Sequence, residues 1–199
     1  MYNPAAFRET RPEVLREAIA THPLAILVTT GTRGLDATHL PMIYGDDGVL
    51  RGHIAKANPQ WQEYTPNSEA LAIFSGPQHY ITPNWYPAKR EHGRVVPTWN
   101  YVAVHARGNL IFHHDPEWLR GFVTALTDEH ERSSASPWRV ADAPAEYIDA
   151  QLRAIVGVEL RVSGIEGKWK LSQNRPDADI EGVIEGLGDH AMASLMQKR

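Results

Sequence analysis

The chain contains no cysteine among its 199 residues. This absence excludes a disulfide framework, a cysteine-based zinc site, an iron–sulfur cluster and a thiolate nucleophile. Long apolar runs are also missing, because the longest uninterrupted aliphatic stretch covers only residues 24–28 and is far too short for a membrane span. The amino terminus, Met-Tyr-Asn-Pro, lacks the basic and apolar regions of a signal peptide. A cytoplasmic location without a membrane partner is therefore expected.

Positive charge is not in excess either. The chain has 20 Lys and Arg against 24 Asp and Glu, which gives a formal net charge of −4. Direct DNA binding needs clustered Lys and Arg to neutralise phosphates, so the composition makes this partner doubtful. The sequence also lacks the glycine-rich, P-loop, zincin and nucleophile-elbow signatures, which disfavours Rossmann enzymes, P-loop NTPases, zincins and α/β-hydrolases.

Histidine is abundant, with ten residues. His113 and His114, near His105 and His130, are the densest group, but their spacing matches no metal-ligand pattern. Adjacent residues of a strand also point to opposite faces. No metal site is predicted.

Alternating apolar and polar residues with turn signals between them dominate the chain, which is typical of β-strands. Segments 24–30, 35–44 and 49–55, separated by glycine-bounded turns, predict a three-stranded meander. Further strands are expected at 70–75 and 79–82, at 98–112 with a break at Gly108, and as two strands within 156–172. Residues 87–96 are expected to form an exposed loop.

Helices are predicted outside these strands. Pro12 opens an amphipathic stretch, Asn58-Pro59 predicts the start of a short helix, Asp115-Pro116-Glu117 predicts a longer one, and residues 145–155 another. The fold expected is mainly β, α+β: a barrel or curved sheet of six to eight antiparallel strands with three or four peripheral helices. One domain over 1–199, with a helical tail from about 176 to 199, is predicted.

The segment GHIAKANPQW, residues 52–61, brings a strand end, Lys56 and a helix amino terminus capped by Asn58 close together. A cation beside free backbone amides predicts an anion site. The alternative is a capped helix with a solvated lysine.

Polar residues are unusually dense in GKWKLSQNR, residues 167–175. In an extended strand Lys168, Lys170, Ser172 and Asn174 would share one face. Such a face suits a ligand with a phosphate and heteroatom edges, while the alternative is a sheet edge protected by lysines. In PTWNY and ITPNWY, Asn100 and Asn84 stand beside tryptophans, as in the wall of a flat pocket.

These blocks, together with others in the same order, resemble the PaiB-type, FMN-binding negative transcriptional regulators. The matching blocks are ATHLP (37–41), GHIAKANPQW (52–61), SGPQHYITPNWY (75–86), VPTWNY (96–101), HE (130–131) with PW (137–138), and GKWKLSQNR (167–175). The resemblance implies a split β-barrel, the fold of pyridoxamine-phosphate oxidases and flavin reductases. It also implies a homodimer with FMN at the subunit interface.

The resemblance further implies which residues contact FMN. Backbone groups of Thr38, His39 and Leu40 would reach the polar edge of the isoalloxazine, and Pro41 would shape the wall. The phosphate end would be held by His53, Ile54, Ala55, Lys56 and Asn58. Polar contacts would come from Lys168, Ser172 and Gln173, while Trp99 and Asn100 would line the pocket or face the partner subunit.

Two functions remain open from the sequence. The first is a flavoprotein in which noncovalent FMN is reduced by NAD(P)H or another donor, that is, an FMN-dependent oxidoreductase. The alternative is a noncatalytic transcriptional regulator that senses FMN or another flat anionic ligand, haem included, through a protein or DNA partner. No acid–base pair is recognisable, so no catalytic residue is assigned.

Overall fold

The computed structural model describes residues 1–198, which form eight strands and seven helices. The strands are β1 (Arg8–Glu9), β2 (Leu24–Gly31), β3 (Gly34–Pro41), β4 (Ile43–Tyr44), β5 (Val49–Ala55), β6 (Glu69–Ile81), β7 (Thr98–His113) and β8 (Ile155–Lys170). The helices are α1 (Pro12–Thr21), α2 (Gln60–Glu63), α3 (Ala88–Glu91), α4 (Pro116–Glu131), α5 (Ala145–Arg153), α6 (Asp177–Leu187) and α7 (Ala191–Gln197). Short 3-10 turns cover 5–7, 83–85 and 140–142.

All eight strands belong to one sheet with the order β3-β2-β6-β7-β8-β5-β4, and β1 pairs with β8. The β2–β3 hairpin is antiparallel in register Ile26 with His39, and β5 pairs antiparallel with β8. The two strands at the ends of this order, β3 and β4, are joined through Met42 alone. The predicted mainly β, α+β class with an antiparallel sheet is confirmed.

Several details of the predicted strand pattern are wrong. The predicted strand 35–44 is divided at Met42 into β3, which pairs with β2, and β4, which pairs with β5 as the meander requires. The long partner of β5 is β8, which the predicted meander did not include. β6, β7 and β8 each run without the predicted interruptions. The predicted loop 87–96 contains α3, and the described residues hold seven helices where three or four were expected.

Gly108 explains one of these differences. A Cβ at this position would lie 1.9 Å from the backbone oxygen of Arg161 in β8. The glycine therefore permits a close approach between two strand backbones and does not end β7.

Two compact units divide the described residues. One consists of 1–18, 74–105 and 166–198, and is called the terminal unit below; the other consists of 19–73 and 106–165, and is called the central unit. The single domain over 1–199 stays a prediction. Two helices, α6 and α7, occupy the predicted carboxyl-terminal tail, of which Arg199 lies outside the described residues.

In the central unit α4 follows its sequence signals closely. The Oδ2 atom of Asp115 accepts a hydrogen bond from the backbone N–H of Trp118 at 2.9 Å, as expected of a helix cap. The helix buries Leu119, Phe122 and Leu126. Its Trp118 packs on β8 at Gly157, where a Cβ would lie 2.2 Å from the indole ring.

In the terminal unit α6 packs closely on Trp85. A Cβ at Gly186 would lie 2.3 Å from the indole of that residue. The core here is a cluster that includes Ile81, Tyr86, Ile180 and Met192. None of the helices within residues 1–198 combines the length and apolarity that crossing a membrane requires.

Candidate functional site

The predicted ring-binding strand, β3, stands at one end of the sheet order, with β2 as its only neighbour along that order. An end strand leaves backbone N–H and C=O groups on its outer side without a ladder partner. His39 is exposed there, Thr38 and Pro41 are half-buried, and Leu40 lies in the core. Backbone contact with a ligand is therefore compatible with Thr38 and His39, whereas the Leu40 side chain is already used by the core.

The short helix α2 follows β5 and is positioned by Asn58. The Oδ1 atom of Asn58 accepts from the backbone N–H of Gln60 at 2.9 Å, and its Nδ2 donates to the hydroxyl of Thr38 at 2.8 Å. Gln60 is fully buried and its Nε2 donates to the carbonyl of Leu27 at 3.0 Å. These bonds attach α2 to the β2–β3 hairpin.

Three of the backbone amides expected at the anion site are not free. The N–H of Lys56 donates to the carbonyl of Ala154, and that of Asn58 donates to the carbonyl of Ala55. The N–H of Gln60 is taken by Asn58. This part of the prediction is wrong, because the chain closes a turn on itself after β5 and satisfies its own donors.

The side chain of Lys56 nevertheless reaches a small cavity. Its volume is about 260 Å³, and Lys56 shares its lining with His114 and Arg153. The floor is apolar, and the single acid in the lining, Asp149, already bonds to Arg120. Sequence reasoning missed His114 and Arg153, because they arrive from the end of β7 and the end of α5, far along the chain from Lys56.

The remaining residues of β5 alternate between the core and the outer face. Ile54 is buried in the core and pairs with Val156 of β8, whereas Ala55 is exposed. His53 is half-buried, packs edge-to-face on Phe122 at 5.9 Å, and has a buried Nδ1 without a hydrogen-bond partner. Burial lowers the pKa of His53 below its usual 6.5.

We expect His53 to make the FMN-free protein less stable in mild acid. Since its folded-state pKa is depressed, the unfolded chain binds its proton first, and the free energy of unfolding falls as pH drops from about 7 to about 5. Urea unfolding across this pH range should show a smaller decrease in the free energy of unfolding for His53→Gln than for the parent protein. Equal slopes for the two proteins would contradict the assignment.

The predicted carboxyl-terminal contact residues belong to the terminal unit. Here β8 ends at Lys170, and Ser172 follows in a left-handed conformation with φ of 65°. The two-residue alternation therefore does not continue to Ser172 and Asn174, as the sequence predicted. The hydroxyl of Ser172 lies 2.9 Å from Nδ2 of Asn100, and the two residues are 4% and 0% exposed.

Lys168 and Gln173 also have partners within the terminal unit. The Nζ of Lys168 donates to the carbonyl of Tyr2 at 2.9 Å and lies over the rings of Tyr2 and Tyr101. The Oε1 of Gln173 accepts from the backbone N–H of Leu171 at 2.7 Å. Lys168 is buried, so the interpretation as a solvated edge lysine is wrong.

Trp99 of the terminal unit remains available to a ligand. Trp99 is 49% exposed, packs edge-to-face with Tyr80, and donates its indole N–H to Gln78. Burial, together with the neighbouring charges of Lys168 and Arg175, lowers the pKa of Lys170. Positive charge is thus concentrated at the end of β8. The central unit holds nine predicted site residues and the terminal unit five, and their union in one pocket stays a prediction.

Comparison with known proteins decides the family. Residues 1–164 match the family model described as "Putative FMN-binding domain". The chain belongs to this FMN-binding family. The predicted cofactor, FMN, and the predicted family are thereby confirmed.

Relatives of this FMN-binding protein cover its whole length. It is 33% identical to "Protease synthase and sporulation protein PAI 2" of Bacillus subtilis over 208 residues, which covers 100% of this chain and 98% of the relative. An uncharacterised protein of Emericella nidulans is 34% identical over 244 residues and is covered to 97%. The resemblance to PaiB-type proteins is therefore confirmed.

Solved structures support the split-barrel fold. An FAD- and haem-binding protein from Mycobacterium smegmatis superimposes with a TM-score of 0.62 at 16% identity, covering 87% of this chain and 78% of that one. The flavocytochrome Anf3 from Azotobacter vinelandii gives 0.61 at 12% identity, with 82% and 69% covered. At such identities the likeness concerns the fold.

The donor set around Lys56 fits part of FMN. A phosphate needs cationic and N–H donors, and Lys56, Arg153 and His114 supply them around one cavity. Whole-ligand pockets usually measure about 300–1,000 Å³, so a cavity of 260 Å³ accommodates only part of the cofactor. The predicted ring contacts on β3, Thr38 and His39, do not line this cavity and stay a prediction.

Proposed function

We propose that this protein holds FMN by its phosphate at Lys56, Arg153 and His114, with the isoalloxazine along β3 at Thr38 and His39. The observation that carries the proposal is the cavity at Lys56, in which the one acid is already bonded to an arginine. Asn58, which bonds to Thr38, links the loop after β5 to β3. A homodimer with flavin at the subunit interface and a cytoplasmic location belong to the same proposal.

FMN, when bound, supplies one- and two-electron redox chemistry. The chain's own residues bind and orient it: cations fix the phosphate, and the end strand presents backbone groups to the ring. The proposed activity is that of an FMN-dependent oxidoreductase. No catalytic residue is named, because no acid–base pair that could transfer a proton is recognisable.

A regulatory role is the second candidate, supported by the name of the Bacillus subtilis relative, a sporulation protein. The net charge of −4 speaks against direct DNA contact, so a protein partner fits this role better. Sustained oxidation of NADH or NADPH by the FMN-loaded protein would favour the oxidoreductase. Retained flavin without turnover would favour the regulator.

Lys56→Ala should weaken FMN binding about tenfold to a hundredfold, because a charge-assisted contact to phosphate is lost. Riboflavin, which has no phosphate, should bind the variant as it binds the parent protein. Fluorescence titration of both ligands measures the two affinities. Arg153→Gln should show the same preference.

Lys198→Ala is the matched control, because it removes an exposed lysine of the terminal unit. Its affinity for both flavins should equal that of the parent protein. If Lys56→Ala weakened FMN and riboflavin equally, or left both unchanged, the phosphate would have to lie elsewhere.

A further inference from the structure

A second cavity lies in the central unit between α4, residues 139–143 and α5. Its volume is about 730 Å³, which is in the range of pockets for small molecules. It shares no lining residue with the cavity at Lys56. The two cavities are therefore separate.

The floor of this cavity is aliphatic. Val140 and Ile148 are buried members of one hydrophobic cluster, and three alanines complete the apolar lining: Ala141, Ala143 and Ala145. Small side chains at these three positions leave room above the two larger ones. Such a surface suits a branched aliphatic group, because burying it removes apolar area from water.

The polar rim comes mainly from one face of α4. Arg120, Thr124 and Asp128 follow each other at intervals of four residues, so they line up along the helix. Two of these are already engaged, because Arg120 bonds to Asp149 and the hydroxyl of Thr124 donates to the carbonyl of Arg120. Asp128 has no ion-pair partner among residues 1–198.

Arg139 faces the same cavity from the segment that precedes α5. Its backbone N–H donates to Asp142, but its guanidinium has no ion-pair partner in the part of the chain that the structure describes. Arg139 and Asp128 thus line one cavity with opposite charges and do not pair with each other. A ligand carrying both charges can satisfy both residues at once.

We propose that this cavity binds an apolar α-amino acid. Arg139 receives the carboxylate, Asp128 receives the ammonium group, and the aliphatic floor contacts the side chain. A polyanion such as a nucleotide is disfavoured by Asp128, and a simple fatty acid leaves Asp128 without a partner. Its lining is separate from that of the proposed phosphate site, although the bond from Arg120 to Asp149 connects the two cavities.

The test is calorimetric titration of the FMN-loaded full chain with L-leucine. We expect saturable binding, and about tenfold or greater losses of affinity for Arg139→Gln and for Asp128→Asn. 4-Methylpentanoate, which lacks the ammonium group, and 3-methylbutylamine, which lacks the carboxylate, should each bind at least about tenfold more weakly than leucine.

Arg132→Gln is the control, because this exposed arginine near the end of α4 bonds to Glu129 and does not line the cavity. It should bind leucine as the parent protein does. No saturable heat up to about 10 mM leucine would overturn the proposal. Equal binding of leucine and 4-methylpentanoate would overturn the role of Asp128 and with it the zwitterionic ligand class.

Discussion

Gly108→Ala should destabilise the protein by about 3 kcal/mol, which corresponds to a fall of roughly 6–12 °C in the melting temperature. The added methyl group would lie 1.9 Å from the backbone oxygen of Arg161 and 2.7 Å from its carbonyl carbon. Neither atom can move away on its own, because Arg161 is fixed by its pairing with Val49 of β5. Differential scanning calorimetry of the FMN-free protein measures the shift.

Gly164→Ala provides the matched control in β8. A Cβ at Gly164 meets no atom within 4 Å, so the expected change is within about 0.5 kcal/mol. If Gly108→Ala and Gly164→Ala had the same melting temperature, the close approach of β7 to β8 would be contradicted.

Asn100→Ala should cost about 2–3 kcal/mol, because it leaves the buried hydroxyl of Ser172 without its partner and removes volume from the core. Nδ2 of Asn100 donates to the hydroxyl of Ser172 at 2.9 Å, and this hydroxyl lies 3.3 Å from the amide oxygen. Chemical unfolding of Asn100→Ala, Ser172→Ala and the double variant measures their free energies of unfolding. The two substitutions should show a coupling energy of at least about 1 kcal/mol.

Ser172→Gly is the control for the backbone. Like Ser172→Ala it lacks the hydroxyl, but glycine adopts the observed φ of 65° without strain, so it should be the more stable of the two. The same variants decide whether this pair contacts FMN. If the Asn100 and Ser172 variants kept the stability of the parent protein but bound FMN more weakly, the pair would not be structural. Its role would then be the predicted one, contact with FMN.

The sequence was sufficient for features that depend on neighbouring residues. Period-two alternation located β5 at its observed bounds, and the Asp115 cap with its apolar stripe located α4. Asn58-Pro59 predicts the start of a short helix, and α2 begins at Gln60 with Pro59 as its N-cap, so the helix is found but its cap lies one residue later than predicted. These signals are local, so no knowledge of the remaining chain was needed.

Features that depend on distant residues were not predictable. In the sequence Gly108 predicts an interruption of β7. Only the structure shows that this glycine allows the backbone of β7 to approach Arg161 of β8 closely. Alternation along an extended strand predicts that Lys168, Lys170 and Ser172 share one face. The strand instead ends at Lys170, and the hydroxyl of Ser172 bonds to Asn100. His114 and Arg153 join Lys56 only through the folding of three separate elements. Contacts between residues that are far apart along the chain produce no recognisable pattern in a single sequence.

The chain order of the two units has a consequence for synthesis on the ribosome. The central unit is complete once residue 165 has been made, whereas β1 must wait for its partner, because Arg8 pairs with Lys168. A nascent chain that lacks its last segment thus holds an amino-terminal stretch with no strand to join. Domains generally fold as units during translation, so the central unit is expected to form first and the terminal unit only once its last segment, from residue 166 onward, has been made. Residues 1–18 of ribosome-bound chains should therefore stay susceptible to protease until the β8 residues that pair with β1 have been made.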